Sequence, residues 1–135
     1  MAKSKRVSYF KARLEDKPGT LLAVAQSLKS KKIGLLGMWG YGTQPGQAEL
    51  YCIPKDPDKF RSHMMTIGTT VEEGSGFVLK GSDKTGALVK TLDALAKAGV
   101  NIAGLHAIAA GGSYGAFLRV SAADISKTAE ALGAK

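Results

Sequence analysis

A six-residue motif occurs twice in this chain of 135 residues, beginning at Asp16 and again at Asp83, 67 residues later. The first copy reads Asp-Lys-Pro-Gly-Thr-Leu and the second reads Asp-Lys-Thr-Gly-Ala-Leu. Each copy follows an apolar strand-like run and precedes an amphipathic helix-like run. The sequence therefore predicts one structural unit written twice, with a strand-to-helix turn at the same place in each half.

The first half has the apolar periodicity of alternating strands and helices. Residues 7–14 alternate as a strand does, and the apolar residues from Leu21 to Leu28 recur at helical spacing. Pro18 suits the first turn of that helix, which is predicted to run to about Lys31. Strands follow over residues 33–41 and 47–53, then a helix beginning near Asp58 and a short strand over 69–73. The predicted order is strand, helix, strand, strand, helix, strand.

The second half repeats this order but ends early. Gly74-Ser75-Gly76 is the predicted boundary, which gives domains over residues 7–73 and 77–135. After the last helical pattern, Ile125 to Leu132, no sixth strand follows. We expect an open sheet edge there, closed either by the linking strand around 69–79 or by another subunit. A homodimer or higher homo-oligomer is therefore expected.

The two turns are candidate ligand sites. A helix start leaves backbone N–H groups without partners and carries partial positive charge, which suits a carboxylate or a phosphate. Gly19 and Gly86 allow close approach to the backbone, and Asp16 or Asp83 could accept hydrogen bonds from an ammonium group. Together they would recognise the zwitterionic part of an amino acid. The alternative interpretation is that the two aspartates are helix N-caps and the glycines only relieve crowding.

The two motifs, together with Ala98-Gly99-Val100-Asn101-Ile102 in the second half, closely resemble the ACT domain. The resemblance covers nearly the whole chain as a tandem pair. It implies an α+β fold of two ferredoxin-like βαββαβ repeats, the second lacking its last strand, and a regulatory, allosteric role in binding amino acids or similar small metabolites. Gly34 in the first copy stands where the second has Asn101, so the two sites are not equivalent. The positions that the resemblance and the strand pattern mark for ligand binding are Asp16, Lys17, Gly19, Asp83, Thr85, Gly86, Asn101 and His106.

The positive charge of the chain indicates a competing function. The net charge is +8, and nine of the lysines and arginines fall within residues 1–35. A basic ferredoxin-like module that binds nucleic acid is therefore the alternative, with Tyr9, Lys11 and Arg13 on one strand face. A purely structural assembly domain is a third hypothesis. The single cysteine, Cys52, and the lack of an apolar run near the roughly 20 residues of a membrane span favour the cytoplasm.

Nothing in the pattern indicates catalysis. No nucleophile–base order, phosphate loop or dinucleotide glycine pattern is present, and the two histidines and one cysteine lie too far apart to suggest a metal site. No cofactor is expected. We interpret Cys52 as apolar filler of a strand and His63 as a surface residue. The leading hypothesis is a small-molecule sensor that acts on a partner enzyme or regulator.

Overall fold

The computed structural model describes residues 2–134, which form strands and helices in the order β-α-β-β-α-β-α-β-β-α. The α+β class predicted from the sequence is confirmed. A short 3₁₀ turn, Ala122–Asp124, precedes the last helix. The elements are β1 (Lys3–Glu15), α1 (Thr20–Ser30), β2 (Leu35–Gln44), β3 (Gln47–Pro54), α2 (Pro57–Thr66), β4 (Val71–Ser82), α3 (Val89–Lys97), β5 (Ile102–Ala110), β6 (Ser113–Val120) and α4 (Ile125–Leu132).

The chain divides into two compact units. The first unit is Ser8–Gly74, and the second combines residues 2–7 with residues 75–134. Strands β1 and β4 each contribute residues to both units. The strand order is β2-β3-β1-β4 in the first unit and β1-β4-β6-β5 in the second.

The sheet edge that the sequence predicts to be open is occupied. No strand follows α4 in the described chain, but residues 3–7 of β1 belong to the second unit and lie beside β4. A guanidinium nitrogen of Arg6 lies 3.5 Å from the Ser75 hydroxyl there. Periodicity missed this segment because Lys-Ser-Lys-Arg, residues 3–6, has no apolar face.

The predicted Gly-Ser-Gly boundary is continuous strand and not a loop. Gly74 and Gly76 lie inside β4, although the division between the units does fall there. A Cβ on Gly74 would lie 2.7 Å from the Tyr9 ring, and one on Gly76 would lie 2.5 Å from the Phe117 ring. These glycines are present because aromatic rings lie flat against the strand, which is one of the established reasons for glycine inside a sheet.

Each unit packs two helices against one face of its strands. In the first unit, alternate residues of β1 and β3 face α1 and α2, and the core centres on Phe10, Phe60 and Met64. In the second unit, Phe77 and Leu118 pack with Leu95 of α3. Burial of such side chains is worth about 1.5–3 kcal/mol each, so each unit has its own apolar core.

The structure differs from two local predictions and agrees with a third. Helix α1 begins at Thr20, so Pro18 lies in the turn before it. Cys52 is buried, as predicted. His63 is not a surface residue, since it is 8% exposed and its Nε2 lies 3.1 Å from Ser27 Oγ. The prediction of exposure is wrong because the polar ring has a hydrogen-bond partner on α1, which allows it to be buried between the helices.

None of the helices within residues 2–134 is long and apolar enough to cross a membrane.

Candidate functional site

The two strand-to-helix turns share one backbone geometry. Gly19 and Gly86 have φ angles of 91° and 73°, a left-handed conformation that costs other residues about 1–2 kcal/mol. The turn itself therefore requires glycine at both positions, whether or not a ligand binds there.

Each turn is also tied to the hairpin that follows it in the fold. The Asp16 N–H donates to the Gly46 carbonyl at 3.1 Å, and the Asp83 N–H donates to the Gly112 carbonyl at 3.0 Å. The hydrogen bond fixes the aspartate at the end of its strand, beside the neighbouring hairpin. The repeat is thus preserved in backbone hydrogen bonding as well as in sequence.

The helix starts behind the turns have no side-chain caps. No side chain accepts a hydrogen bond from the first turn of α1 or α3, and neither first turn contains an acidic residue. The two motif aspartates are therefore not N-caps, which removes the alternative interpretation of their role. Helix α1 starts directly after Gly19, whereas α3 starts at Val89 after an extra turn.

In the first unit, the turn borders a cleft of about 200 Å³. The Asp16 carboxylate lies against β2 at Gly42. A Cβ on Gly42 would lie only 2.8 Å from Asp16 Oδ2. Among residues 2–134 this carboxylate has no hydrogen bond or ion pair. The lining residues, from the turn, α1, β2 and β3, are Leu14, Glu15, Asp16, Lys17, Thr20, Leu21, Gly40, Tyr41, Gly42, Ala48, Glu49 and Leu50.

The other charges at this cleft are paired. Lys17 Nζ lies 2.9 Å from Glu15 Oε2, and this hydrogen bond lowers the pKa of Glu15 and raises that of Lys17. Lys11 Nζ lies 3.3 Å from Glu49 Oε2 and 3.1 Å from Glu72 Oε2. Asp16 is therefore the cleft carboxylate that is free to receive a cationic group. A wider depression of about 710 Å³, which includes Arg13, adjoins the cleft and shares Glu15 and Glu49 with it.

In the second unit, the equivalent turn borders a shallower depression of about 280 Å³. Tyr114 is 6% exposed and stacks over Gly81, where a Cβ would lie 2.7 Å from the ring. The ring forms part of the wall of this depression. The lining residues are Asp83, Lys84, Gly86, Ala87, Leu88, Ala107, Ile108, Ala109 and Tyr114.

Three of the predicted site residues do not line the depression of the second unit. Thr85 is exposed in the turn but does not line the depression. Asn101 precedes the other end of β5, eight residues before the lining residue Ala109, or on the order of 25 Å along a strand. His106 is exposed on β5, paired in register with Phe117 on the sheet face opposite the helices. Neither Asn101 nor His106 is brought to the Gly86 turn.

The strand walls of the clefts were missed by the sequence reasoning. Gly40 and Gly42 of β2 line the first cleft, and Ala107 and Ala109 line the second. The 67-residue repeat, extended past the turns, aligns Gly40 with Ala107 and Gly42 with Ala109. That alignment was the available signal.

Several solved structures share this fold. A protein from Bacteroides thetaiotaomicron matches with a TM-score of 0.83 and 25% identity, covering 96% of this chain and 88% of its own. The regulatory subunit of aspartate kinase from Thermus thermophilus, in its ligand-free form, matches with a TM-score of 0.67 and 15% identity, covering 96% and 91%. The fold is ACT-like.

A larger enzyme matches over part of its length. Aspartokinase III from E. coli, in complex with aspartate and ADP, has a TM-score of 0.60 and 17% identity, and the match covers 97% of this chain but 32% of the enzyme. No protein-family model matches the sequence, and no curated protein matches it either. The similarity to these solved structures establishes the fold of the chain.

Proposed function

We propose that this protein is a regulatory protein that binds an amino acid or a similar small metabolite at its strand-to-helix turns. The two units would act as a tandem pair of ACT-like domains, corresponding to residues 7–73 and 77–135. The proposal is supported by the fold, which is shared with regulatory subunits of aspartate kinase.

One observation carries the proposal: an unpaired carboxylate and an uncapped helix start face the same cleft in the first unit. The helix start offers backbone N–H groups and partial positive charge to a carboxylate. Asp16, at the opposite end of the turn, offers oxygens to an ammonium group. These two groups are joined to one carbon in every α-amino acid, so the turn has the polarity that an amino acid requires.

The first turn is the principal site in this proposal. Its β2 wall is made by Gly40 and Gly42, which leave the backbone accessible, and its helix begins immediately at the turn. In the second unit, the equivalent depression is shallower, its strand wall carries Ala107 and Ala109 in place of the two glycines, and α3 begins three residues after Gly86. The adjoining depression beside Arg13 gives the ligand's side chain room to extend.

The protein would act without catalysis, by favouring one arrangement of subunits over another. A ligand shifts such an equilibrium only by its difference in affinity for the two arrangements. A homodimer or larger homo-oligomer, and a partner enzyme or regulator that responds to it, complete the proposal. Amino acids and not phosphates are preferred because Asp16 would repel a dianion.

A thermal-shift screen of dialysed full-length protein against the twenty proteinogenic amino acids tests this function. A ligand at about 100 times its Kd adds about 2.7 kcal/mol to the free energy of unfolding. Asp16→Asn should abolish the stabilisation, whereas the matched variant Asp83→Asn should keep it. A flat response from all twenty compounds would overturn the proposal, and loss in Asp83→Asn alone would move the site to the second turn.

A further inference from the structure

The second unit distributes its charges unevenly between its two sides. Among residues 2–7 and 75–134 there are nine lysines and arginines but four aspartates and glutamates. The acids lie in the turn or on the helical side, namely Asp83 in the turn, Asp93 in α3, Asp124 before α4 and Glu130 within it. The sheet face opposite the helices, which we call the open face, therefore carries no carboxylate from the described residues of this unit.

Three lysines without ion pairs lie on the open face. Because Ala2 packs on the helix-side core, the alternating residues Lys3 and Lys5 of β1 project from the opposite side of the sheet. Lys80 of β4 follows the core residue Leu79 and so projects from that side as well. All three lysines are exposed, and none is ion-paired within the part of the chain that the structure describes.

An exposed isoleucine stands across a gap from Lys80. Gly115 of β6 lies between the core residues Tyr114 and Ala116, so it faces away from the helices, and it pairs in register with Lys80 on one side and Ile108 on the other. A Cβ on Gly115 would meet nothing within 4 Å. Since neighbouring strands are about 4.8 Å apart, Lys80 and Ile108 flank a gap about 10 Å wide, which has room for one side chain of a partner.

The surface beside this gap is apolar. Val78 of β4 pairs with Phe117 of β6, one step along the strands from Lys80. The Phe117 ring lies against Gly76, so it leaves the gap open. His106 and Arg119 share this face, but both already interact within the protein and are not used in the inference. The open face thus presents an apolar strip with unpaired cations beside it.

The chemistry of the open face favours a protein partner over nucleic acid or a second copy of the chain. Ile108 is 77% exposed, and covering a side chain of this size is worth about 1.5–3 kcal/mol. Single-stranded RNA stacks its bases on exposed aromatic rings, whereas Phe117 is buried. A second copy, joined through the same face, would bring its own lysines against the first set, and like charges across an interface are unfavourable.

The backbone of the open face favours a helical partner. Strands β4 and β6 each have a strand on both sides, in the order β1-β4-β6-β5, so their backbone groups are used within the sheet. A segment that lies across this face must therefore satisfy its own backbone hydrogen bonds, which a helix does and an extended strand does not. Laying one apolar face of a helix on a sheet is also the common way to cover it.

We propose that the open face of the second unit binds an acidic amphipathic helix of a partner protein. An aliphatic side chain of that helix enters the gap over Gly115 and packs on Ile108, while its aspartates and glutamates pair with Lys3, Lys5 and Lys80. Binding does not require an amino acid at either turn, although Ile108 also borders the depression at the Gly86 turn.

The test is a fluorescence-anisotropy titration of the dialysed full chain with a labelled synthetic peptide. The peptide has about 18 residues, or about 27 Å of helix, with leucines on one helical face and glutamates on the other. A peptide of the same composition in scrambled order has the same charge but no apolar face. The amphipathic peptide should bind at least about tenfold more tightly than the scrambled one and should gain helicity on binding, measured by circular dichroism.

The cationic part of the site is tested by charge reversal. Lys5→Glu/Lys80→Glu should weaken binding of the amphipathic peptide at least about tenfold, because two attractions become repulsions. The matched control, Lys90→Glu/Lys97→Glu on α3, changes the net charge equally and should weaken binding less than about threefold. If the first variant does not fold, as judged by its melting curve, Lys3→Gln/Lys80→Gln replaces it, and unchanged affinity in that variant would overturn the proposal.

The apolar part of the site is tested separately. Ile108→Ser should weaken binding at least about fivefold, because the peptide loses the side chain on which its leucine packs. Met65→Ser removes an apolar side chain of nearly the same exposure, 76%, from α2 of the first unit and should change the affinity less than about twofold.

The remaining outcomes each count against a helical protein partner. Absence of saturable binding, equal binding of the scrambled peptide, or equal losses in the two lysine variants would overturn the proposal. Tighter binding of a single-stranded RNA of about 12 nucleotides, or of phosphatidylserine vesicles, would assign the face to that ligand instead. A dimer that Ile108→Ser dissociates in sedimentation experiments would assign the face to a second copy of the chain.

Discussion

The two turns differ most at one register position. In the first unit Leu14 pairs with Ala48, and in the second Gly81 pairs with Tyr114. The large side chain has moved from the strand before the turn to the strand across from it, while the backbone geometry has stayed the same. The comparison teaches that two units with the same turn geometry can have different clefts when a large and a small side chain change places across a strand pair.

The largest expected effect comes from removing Tyr114. Tyr114→Ala should destabilise the protein by about 3–4 kcal/mol because it leaves a cavity over Gly81. Adding Gly81→Leu recreates the arrangement of the first unit and should restore at least about 1 kcal/mol, although Gly81→Leu alone is destabilising because it meets the tyrosine ring. Urea unfolding of the wild type, the two single variants and the double variant measures the coupling free energy between positions 81 and 114. Strictly additive effects would show that the two side chains do not replace each other.

The next effect concerns Gly42 and ligand binding. A Cβ at this position lies 2.8 Å from Asp16 Oδ2, so Gly42→Ala displaces the carboxylate. Calorimetry with whichever amino acid stabilises the wild type most should show binding at least about tenfold weaker, or about 1.4 kcal/mol. Ala109→Val, at the equivalent position of the second unit, is the control and should bind normally. The reverse pattern would place the working site at the second turn.

The helix pairs of the two units differ in hydrogen bonding. His63 Nε2 lies 3.1 Å from Ser27 Oγ, and because the Ser27 hydroxyl donates to the Val24 carbonyl, we assign the proton of this contact to Nε2, which joins α1 and α2 by a satisfied hydrogen bond. In the second unit, Thr128 of α4 is fully buried and its hydroxyl has no hydrogen-bond partner among the described residues. Buried polar groups without partners cost free energy.

Opposite signs are therefore expected for two conservative substitutions. Ser27→Ala should destabilise the protein by about 1 kcal/mol, because it leaves the His63 N–H buried without an acceptor. Thr128→Val should be neutral or stabilising by up to about 1 kcal/mol, because it removes a hydroxyl without a partner. Thermal melts measure both, and a large destabilisation by Thr128→Val would show that its hydroxyl is bonded.

The smallest effect is a pH dependence confined to the first unit. Cys52 occupies, opposite Phe10, the place that Leu118 takes opposite Phe77, and burial raises the pKa of its thiol from 9.0 to about 12. Above pH 9 the unfolded chain loses this proton while the native protein keeps it, so the free energy of unfolding falls as pH rises towards 12.

The measurement is urea unfolding at pH 8 and pH 10, followed by the fluorescence of Trp39 in the first unit. A loss of about 1 kcal/mol is expected at pH 10, and Cys52→Ala should remove it. The ion pairs of Lys11 raise the pKa of its ammonium above 10.5, so their contribution is lost only at higher pH and does not confuse the comparison. An unchanged loss in Cys52→Ala would assign it to another group.

Sequence periodicity predicted the order of strands and helices, and the duplicated motif predicted the two strand-to-helix turns, because these depend on local apolar spacing and on left-handed glycines. Periodicity could not place Lys3 to Arg6 in the second unit, since that pairing joins residues about 70 positions apart and lacks an apolar face. The resemblance to the ACT domain, and not periodicity, marks Asn101 for the site at Gly86, whereas in the structure Asn101 precedes β5 and lies eight residues from the lining residue Ala109. The pairing of Gly81 with Tyr114 depends on register, which only the fold provides.

The shared first strand has a consequence for biosynthesis. Residues 2–7 are synthesised before their strand neighbours in the second unit, which follow residue 74. This segment stays without those neighbours while residues 8–74 are translated, and its three closely spaced cations keep it hydrated during that delay. A gene split after residue 74 would separate residues 2–7 from the rest of the second unit.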